Sequence, residues 1–267
     1  MKRVFPLITA SALLCCASGN ALAAKGDIDF SLLSGAATGT TQAAVEAELQ
    51  NIFDYAVADL SSAMSYKAVA PAEPLGITGI DVGLVITATK LANSKEWGAA
   101  VDGASNIATL PTFKLAAQKG LPFGIDVGAF YMGTSASNVK LVGGELRYAF
   151  LEGGVATPAL AVRATFSKLS GVSDFSFSSQ GLELSVSKGI AMLTPYAGVG
   201  IVQYSGKYDK AITIASPAFT LNLDEASDQQ TKTFVGVNFN MGLFNIALDG
   251  DKTGDSTSYS LKFGFRF

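Results

Sequence analysis

Between Ile77 and its last residue the chain keeps a period of two, and the final ten residues show it most plainly. In "SYSLKFGFRF", Tyr259, Leu261, Phe263, Phe265 and Phe267 share one face, and Ser260, Lys262, Gly264 and Arg266 share the other. Successive side chains of a strand point to opposite faces. Aromatics on one face and charges on the other therefore suit a strand lying between hydrocarbon and a wet interior. A half-buried strand of a soluble sheet alternates too, so further support must come from how the strands are joined. About ten runs read as strands, near 77–90, 109–118, 122–132, 139–151, 157–167, 176–187, 192–204, 231–240, 243–250 and 257–267. Their connections alternate in length. Residues 91–108 and 205–230 are long, "GTSASN", "LSGVSD" and "DKTGDS" are moderate, and "KGLP", "LEGGVATP", "KGIAM" and "MGL" are short or tight. Long loops at one end and short turns at the other are what a membrane barrel shows. A soluble sandwich has no reason to keep them apart.

The aromatic residues give an independent test. If the first strand runs outward, the outward-facing aromatics near the short-turn end are Phe123, Tyr148, Phe150, Phe239, Phe244, Phe265 and Phe267. Near the long-loop end they are Tyr131, Phe166 and Tyr259, and between the bands the same face is aliphatic. Two aromatic bands are expected at the two interfaces of a bilayer. One run resists: Phe175 and Phe177 have the opposite parity to Leu182, Leu184 and Val186. Either a bulge near Ser178–Ser179 resets the register, or the Phe pair already lies in the loop.

With this terminal aromatic strand the chain resembles bacterial outer-membrane β-barrel proteins, whose last strand carries an assembly signal ending in an aromatic. Phe263, Phe265 and Phe267 are the matching residues, and the glycine stands at 264 where such signals usually carry it at 262. The resemblance is to an architecture and covers residues 77–267. It implies an all-β fold, a closed antiparallel transmembrane barrel of about ten strands, or twelve if 211–222 adds a spanning pair. It also implies residence in the cell outer membrane, with outer-membrane lipid and the barrel-assembly machinery as partners.

The N-terminus reads as an export signal over residues 1–23. Lys2 and Arg3 precede an apolar core, and Ala21-Leu22-Ala23 is a small-x-small cleavage site. Both cysteines, Cys15 and Cys16, fall inside it, so the mature chain has no disulfide and no Cys metal ligand. The signal takes two of the 19 basic residues and none of the 22 acids, leaving a balance of −5. A mildly acidic chain without a basic block argues against nucleic acid as a partner. The chain has no His. That removes imidazole bases and the commonest metal ligand, and no carboxylate pair stands out, so the sequence predicts neither an enzyme nor a cofactor or metal site.

Residues 24–76 lack the period of two and read as a periplasmic segment. Val45, Leu49, Ile52, Phe53, Val57 and Leu60 recur at three- and four-residue steps, which predicts one amphipathic α-helix over 41–66 with these residues as its packing face. Pro71 and Pro74 in "APAEPLG" stop it and make a linker. The helix carries Glu46, Glu48, Asp54 and Asp59 and no base before Lys67. The periplasmic mouth of the barrel, near Lys114, Lys262 and Arg266, is the predicted cover; self-association or a partner and the membrane surface are the alternatives.

Strand parity places Asp81, Lys114, Asp126, Glu145, Arg147, Arg163, Glu183, Lys232, Asp249, Lys262 and Arg266 inside the barrel. Such a balanced set either pairs to fill the lumen or lines an aqueous path. Inward glycines such as Gly143, Gly198 and Gly236 either curve the wall or leave room for a plug or solute. These residues leave two functions open. One is a pore or transporter for small solutes with the helix at the periplasmic mouth. The other is a non-conducting surface-binding or structural barrel acting through its loops, where Trp97, Tyr204 and Tyr208 lie. The sequence names neither solute nor surface ligand.

Overall fold

A computed structural model describes residues 30–96, 108–133, 139–172, 174–215 and 218–267. The predicted signal, residues 1–23, and Trp97 lie outside the described residues. Ten strands close a barrel: β1 (Ile80–Lys90), β2 (Thr109–Gly120), β3 (Ile125–Gly133), β4 (Lys140–Glu152), β5 (Ala159–Ser170), β6 (Phe175–Ser187), β7 (Leu193–Tyr208), β10 (Ala226–Met241), β11 (Phe244–Thr253) and β12 (Ser256–Arg266). Neighbours in sequence pair antiparallel, β7 pairs with β10, and β12 returns to β1. The closing seam extends to the last residue. Ile80 N–H donates to the Phe267 carbonyl at 2.6 Å, and Phe267 N–H to that of Ile80 at 3.0 Å. Closure leaves no unpaired edge, the condition for strands to cross hydrocarbon. The barrel has ten strands and not twelve. Within 211–222, β8 (Ile212–Ala215) and β9 (Ala218–Leu221) pair as a separate two-stranded sheet beyond the long-loop rim.

The two faces differ as the alternation requires. Phe123, Tyr148, Phe150, Phe239, Phe244, Phe265 and Phe267 point outward at the short-turn end, and Tyr131, Phe166 and Tyr259 at the other. The one register shift in the barrel lies in β4 between Ala149 and Leu151, beside the tight β4–β5 connection. Nothing interrupts β6. Its pairing with β5 and β7 runs without a shift, and Phe175, Phe177 and Ser179 point inward in line with Glu183 and Ser185. Neither expected alternative holds: no bulge resets the register, and the Phe pair lies in the strand and not in the loop, because the barrel interior turns apolar at that height and inward Phe residues need no change of register.

The cause of that apolar height is the N-terminal segment. A short 3-10 helix, Phe30–Ala36, precedes α1, Gln42–Met64. Thr41 caps α1 with its hydroxyl accepting the Ala44 N–H, and the Glu48 carboxylate accepts from the Thr38 hydroxyl and the Thr38 and Gly39 N–H groups. These bonds hold the Glu48 carboxyl below its usual range. Val45, Leu49, Phe53, Val57 and Leu60 are fully buried and Ile52 partly so. Phe53 meets Phe30 edge-on at 5.0 Å and Phe175 at 6.3 Å. Tyr204, Tyr208, Ile212, Ile214 and Leu221 complete the cluster.

This corrects the predicted position of the helix. α1 packs on β7, β10 and β12 at the long-loop end, not in the short-turn mouth. Charge matching to Lys114, Lys262 and Arg266 does not hold it there. Asp59 instead accepts the N–H groups of Ala92 and Asn93 and the Ser256 hydroxyl, and Gln50 pairs with the backbone of Asp224. Apolar burial and backbone donors outweigh net charge, which a distant cation satisfies only weakly.

Candidate functional site

Residues 65–79 are not a simple linker. They run through the lumen from α1 at one rim to β1 at the other, and residues 65–72 are all buried. Their contacts follow that path in order. The Tyr66 carbonyl accepts from Lys232 Nζ at 2.9 Å, and Lys67 Nζ reaches both Asp251 oxygens at 2.8 and 2.9 Å. Val69 packs with Val85 and Ala247. The Pro71 carbonyl accepts from Arg147, and Ala72 packs with Ala149, Ala159 and Ala161. Glu73 N–H donates to the Ser187 hydroxyl and Leu75 N–H to Asp126 Oδ1. At the exit Lys119 holds the carbonyls of Ile77 and Gly79. An irregular segment inside a barrel must have its backbone groups satisfied by the wall, and here charged side chains meet those of Tyr66, Pro71, Leu75, Ile77 and Gly79.

Three of the predicted inward charges, Asp126, Arg147 and Lys232, are among those side chains. Asp81, Lys114, Asp126, Glu145, Arg147, Arg163, Glu183, Lys232 and Lys262 are buried, and Asp249 and Arg266 are half-buried. Arg163 lies between Glu145 and Glu183, 2.9 Å from each. Lys232 holds the other Glu183 oxygen at 2.7 Å. Arg147 places Nε and Nη2 on Asp126 Oδ2 at 2.9 and 2.6 Å, and Lys262 sits 2.7 Å from Asp81. Lys67 and Asp251 join this set from the thread and the wall. Strand parity cannot show that Lys67 enters the barrel, because it lies on the thread, and Asp251 lies one residue past the predicted strand 243–250 although it shares the inward parity of Asp249. Lys114 differs: among the described residues it makes no ion pair, and its ammonium stands 4.8 Å from the Phe130 ring and 6.0 Å from that of Tyr66.

The inward glycines have a third role beyond curvature and open space. A side chain at Gly143 would strike the Phe130 ring, one at Gly198 the Phe234 ring, and one at Gly236 the Tyr196 ring. Each glycine seats an aromatic ring from a neighbouring strand against the inner wall. Beside Lys67, Glu183, Tyr196 and Lys232 the rings, thread and ion pairs leave a cavity of about 10 Å³, while at the short-turn mouth a cavity of about 600 Å³ opens beside Glu73, Ala159 and Ser187. The first is the smaller and has room for one water.

No protein-family model matches the chain, and no sequence of a characterised protein matches it. Solved structures do. Ail, the attachment invasion locus protein of Yersinia pestis, is 12% identical over 71% of this chain and 97% of its own, with a TM-score of 0.28. The KdgM porin, solved in complex with disordered oligogalacturonate, is 11% identical over 71% of this chain and 99% of its own, at 0.35. The outer membrane protein OprG of Pseudomonas aeruginosa is 12% identical over 74% and 99%, at 0.32. Likeness at this level carries no functional argument, and the barrel architecture rests on the closed strand register itself.

Proposed function

We propose that this chain is a non-conducting barrel of the bacterial outer membrane that fastens its own N-terminal lobe over the long-loop end and acts through the surface so presented. One observation carries the reading: residues 65–72 are buried in the lumen, and the thread is pinned in both halves by the buried charges of Asp251, Arg147 and Asp126. A pore or transporter would need this thread to leave, and buried pairs resist removal of either partner by about 3–5 kcal/mol. The outward aromatic bands around an aliphatic belt support a lipid surround, which fits residence in the outer membrane. If the long loops face outside, as in membrane barrels generally, α1 lies outside too and residues 30–64 are not periplasmic. No catalytic role is proposed, because the buried carboxylates are held by bases, backbone donors or hydroxyls and the chain has no imidazole.

Two truncations test the thread apart from the lobe. In planar bilayers the mature chain should give no steady ion current. Deleting residues 24–64 removes the lobe and should leave the barrel closed. Deleting residues 24–76 removes the thread as well and should open a lasting conductance. A full-length protein that conducts steadily would restore the transporter reading.

A further inference from the structure

The outer wall carries one feature that a uniform lipid-facing surface does not need. Across β10, β11, β12 and β1 the register sets Val235, Gly250, Tyr259 and Ala88 in one outward row. Gly250 and Ala88 leave the row shallow on both sides of the Tyr259 ring. With Leu248 and Leu261 below, they line an apolar groove of about 640 Å³. The next row toward the long-loop rim is Thr233, Lys252, Thr257 and Lys90. Both lysines are exposed and point outward, one on each side of Thr257. They lie two strands apart, roughly 10 Å by the usual strand spacing. Neither makes an ion pair among the described residues. Asp251 beside them points inward to Lys67, and Asp255 lies in the β11–β12 turn.

A groove for hydrocarbon directly beneath two cations and a hydroxyl is complementary to one class of molecule. We propose that this wall is a binding site for an anionic, phosphate-bearing lipid of the leaflet at the long-loop end, with the headgroup on Lys90, Thr257 and Lys252 and an acyl chain along Gly250 and Tyr259. Lysines at this height attract anionic headgroups, and the apolar groove selects a lipid over free phosphate. A second copy of this chain would bring a like row of lysines or leave the pair unmet, so lipid is the better occupant. The inference rests on the membrane placement proposed above.

The test uses the full mature chain in phosphatidylcholine nanodiscs with and without a bisphosphorylated acyl-glucosamine lipid (lipid A), titrated and read by native mass spectrometry. The wild type should retain the phosphorylated lipid as a monomer. Lys90→Gln with Lys252→Gln should weaken retention by roughly 30-fold, about fivefold for each cation at an anionic surface. Gly250→Leu should also weaken it by filling the groove. A Cβ there meets only the Tyr259 ring, at 3.8 Å, so the barrel should tolerate the change. If it does not fold, the lysine pair alone decides the matter. Lys140→Gln with Lys168→Gln, on the far wall, should leave retention unchanged. Equal loss in that control, competition by inorganic phosphate alone, dimers in place of lipid adducts, or retention no better than phosphatidylcholine would each overturn the site. A chain that fails to enter the nanodisc at all would instead overturn the membrane placement beneath it.

Discussion

Arg163 and Lys114 are both buried in the same lumen and should respond oppositely to loss of charge. Arg163 serves two carboxylates, and Glu145 would keep only its bond from Gln118, 2.6 Å long, if the guanidinium were removed. Arg163→Ala should therefore destabilise the barrel by about 3–5 kcal/mol in urea unfolding from lipid or detergent. Lys114 has no carboxylate within ion-pair distance among the described residues, only the faces of Phe130 and Tyr66. Lys114→Met removes a buried cation and keeps the stem's volume. It forfeits a cation–π contact of about 0.5–2 kcal/mol, so stability should stay level or rise. A large loss at Lys114 and none at Arg163 would show that ion pairs do not hold this interior. Parity in the sequence was enough to put both residues inside. It said nothing of which base meets which acid, because that depends on how far each strand is staggered against its neighbour.

At the scale of elements, α1 and the barrel are separable by one contact. A side chain at Gly206 would run into Val57 on the buried face of the helix. Gly206→Leu should lift α1 from the rim, making residues 42–64 sensitive to protease, while the melting of the ten-strand barrel changes little. The ladder on either side of Gly206, to Phe177 and to Ala226, does not depend on that side chain. If protease resistance of the helix is unchanged, the lobe is held by something other than its apolar stripe. The stripe itself was legible, residue for residue, in the three- and four-step spacing from Val45 to Leu60. Its cover was not. Phe175 and Phe177 carried the signal, since their inward parity is wasteful in a wet lumen and sensible under an apolar lid.

For the whole molecule the decisive quantity is which side the N-terminal lobe occupies. Residues 24–267 contain no cysteine, so in a chain without the predicted signal single cysteines report cleanly. Tyr55 is 52% exposed on α1. Tyr55→Cys and Asp228→Cys should both react with an impermeant maleimide on intact cells, and Gly154→Cys, in a tight turn at the other end, should react only after the envelope is opened. Reaction at Gly154 alone would invert the molecule, and reaction at Asp228 without Tyr55 would take the lobe off the long-loop end. The sequence by itself determined the barrel, its near-ten strands, its wet and dry faces and the existence of one amphipathic helix. All of these come from periodicity, which each strand or helix expresses along its own length. Only the tertiary structure decided that residues 65–79 pass through the lumen, that the helix covers the opposite rim from the one its charge suggested, and that residues 65–72 are buried among the inward charges. Those are facts about where a chain goes, set by the sum of contacts such as Lys67 with Asp251 and Arg147 with Pro71 across long separations in sequence. No local pattern in "APAEPLG" distinguishes a segment that leaves a barrel from one that threads it.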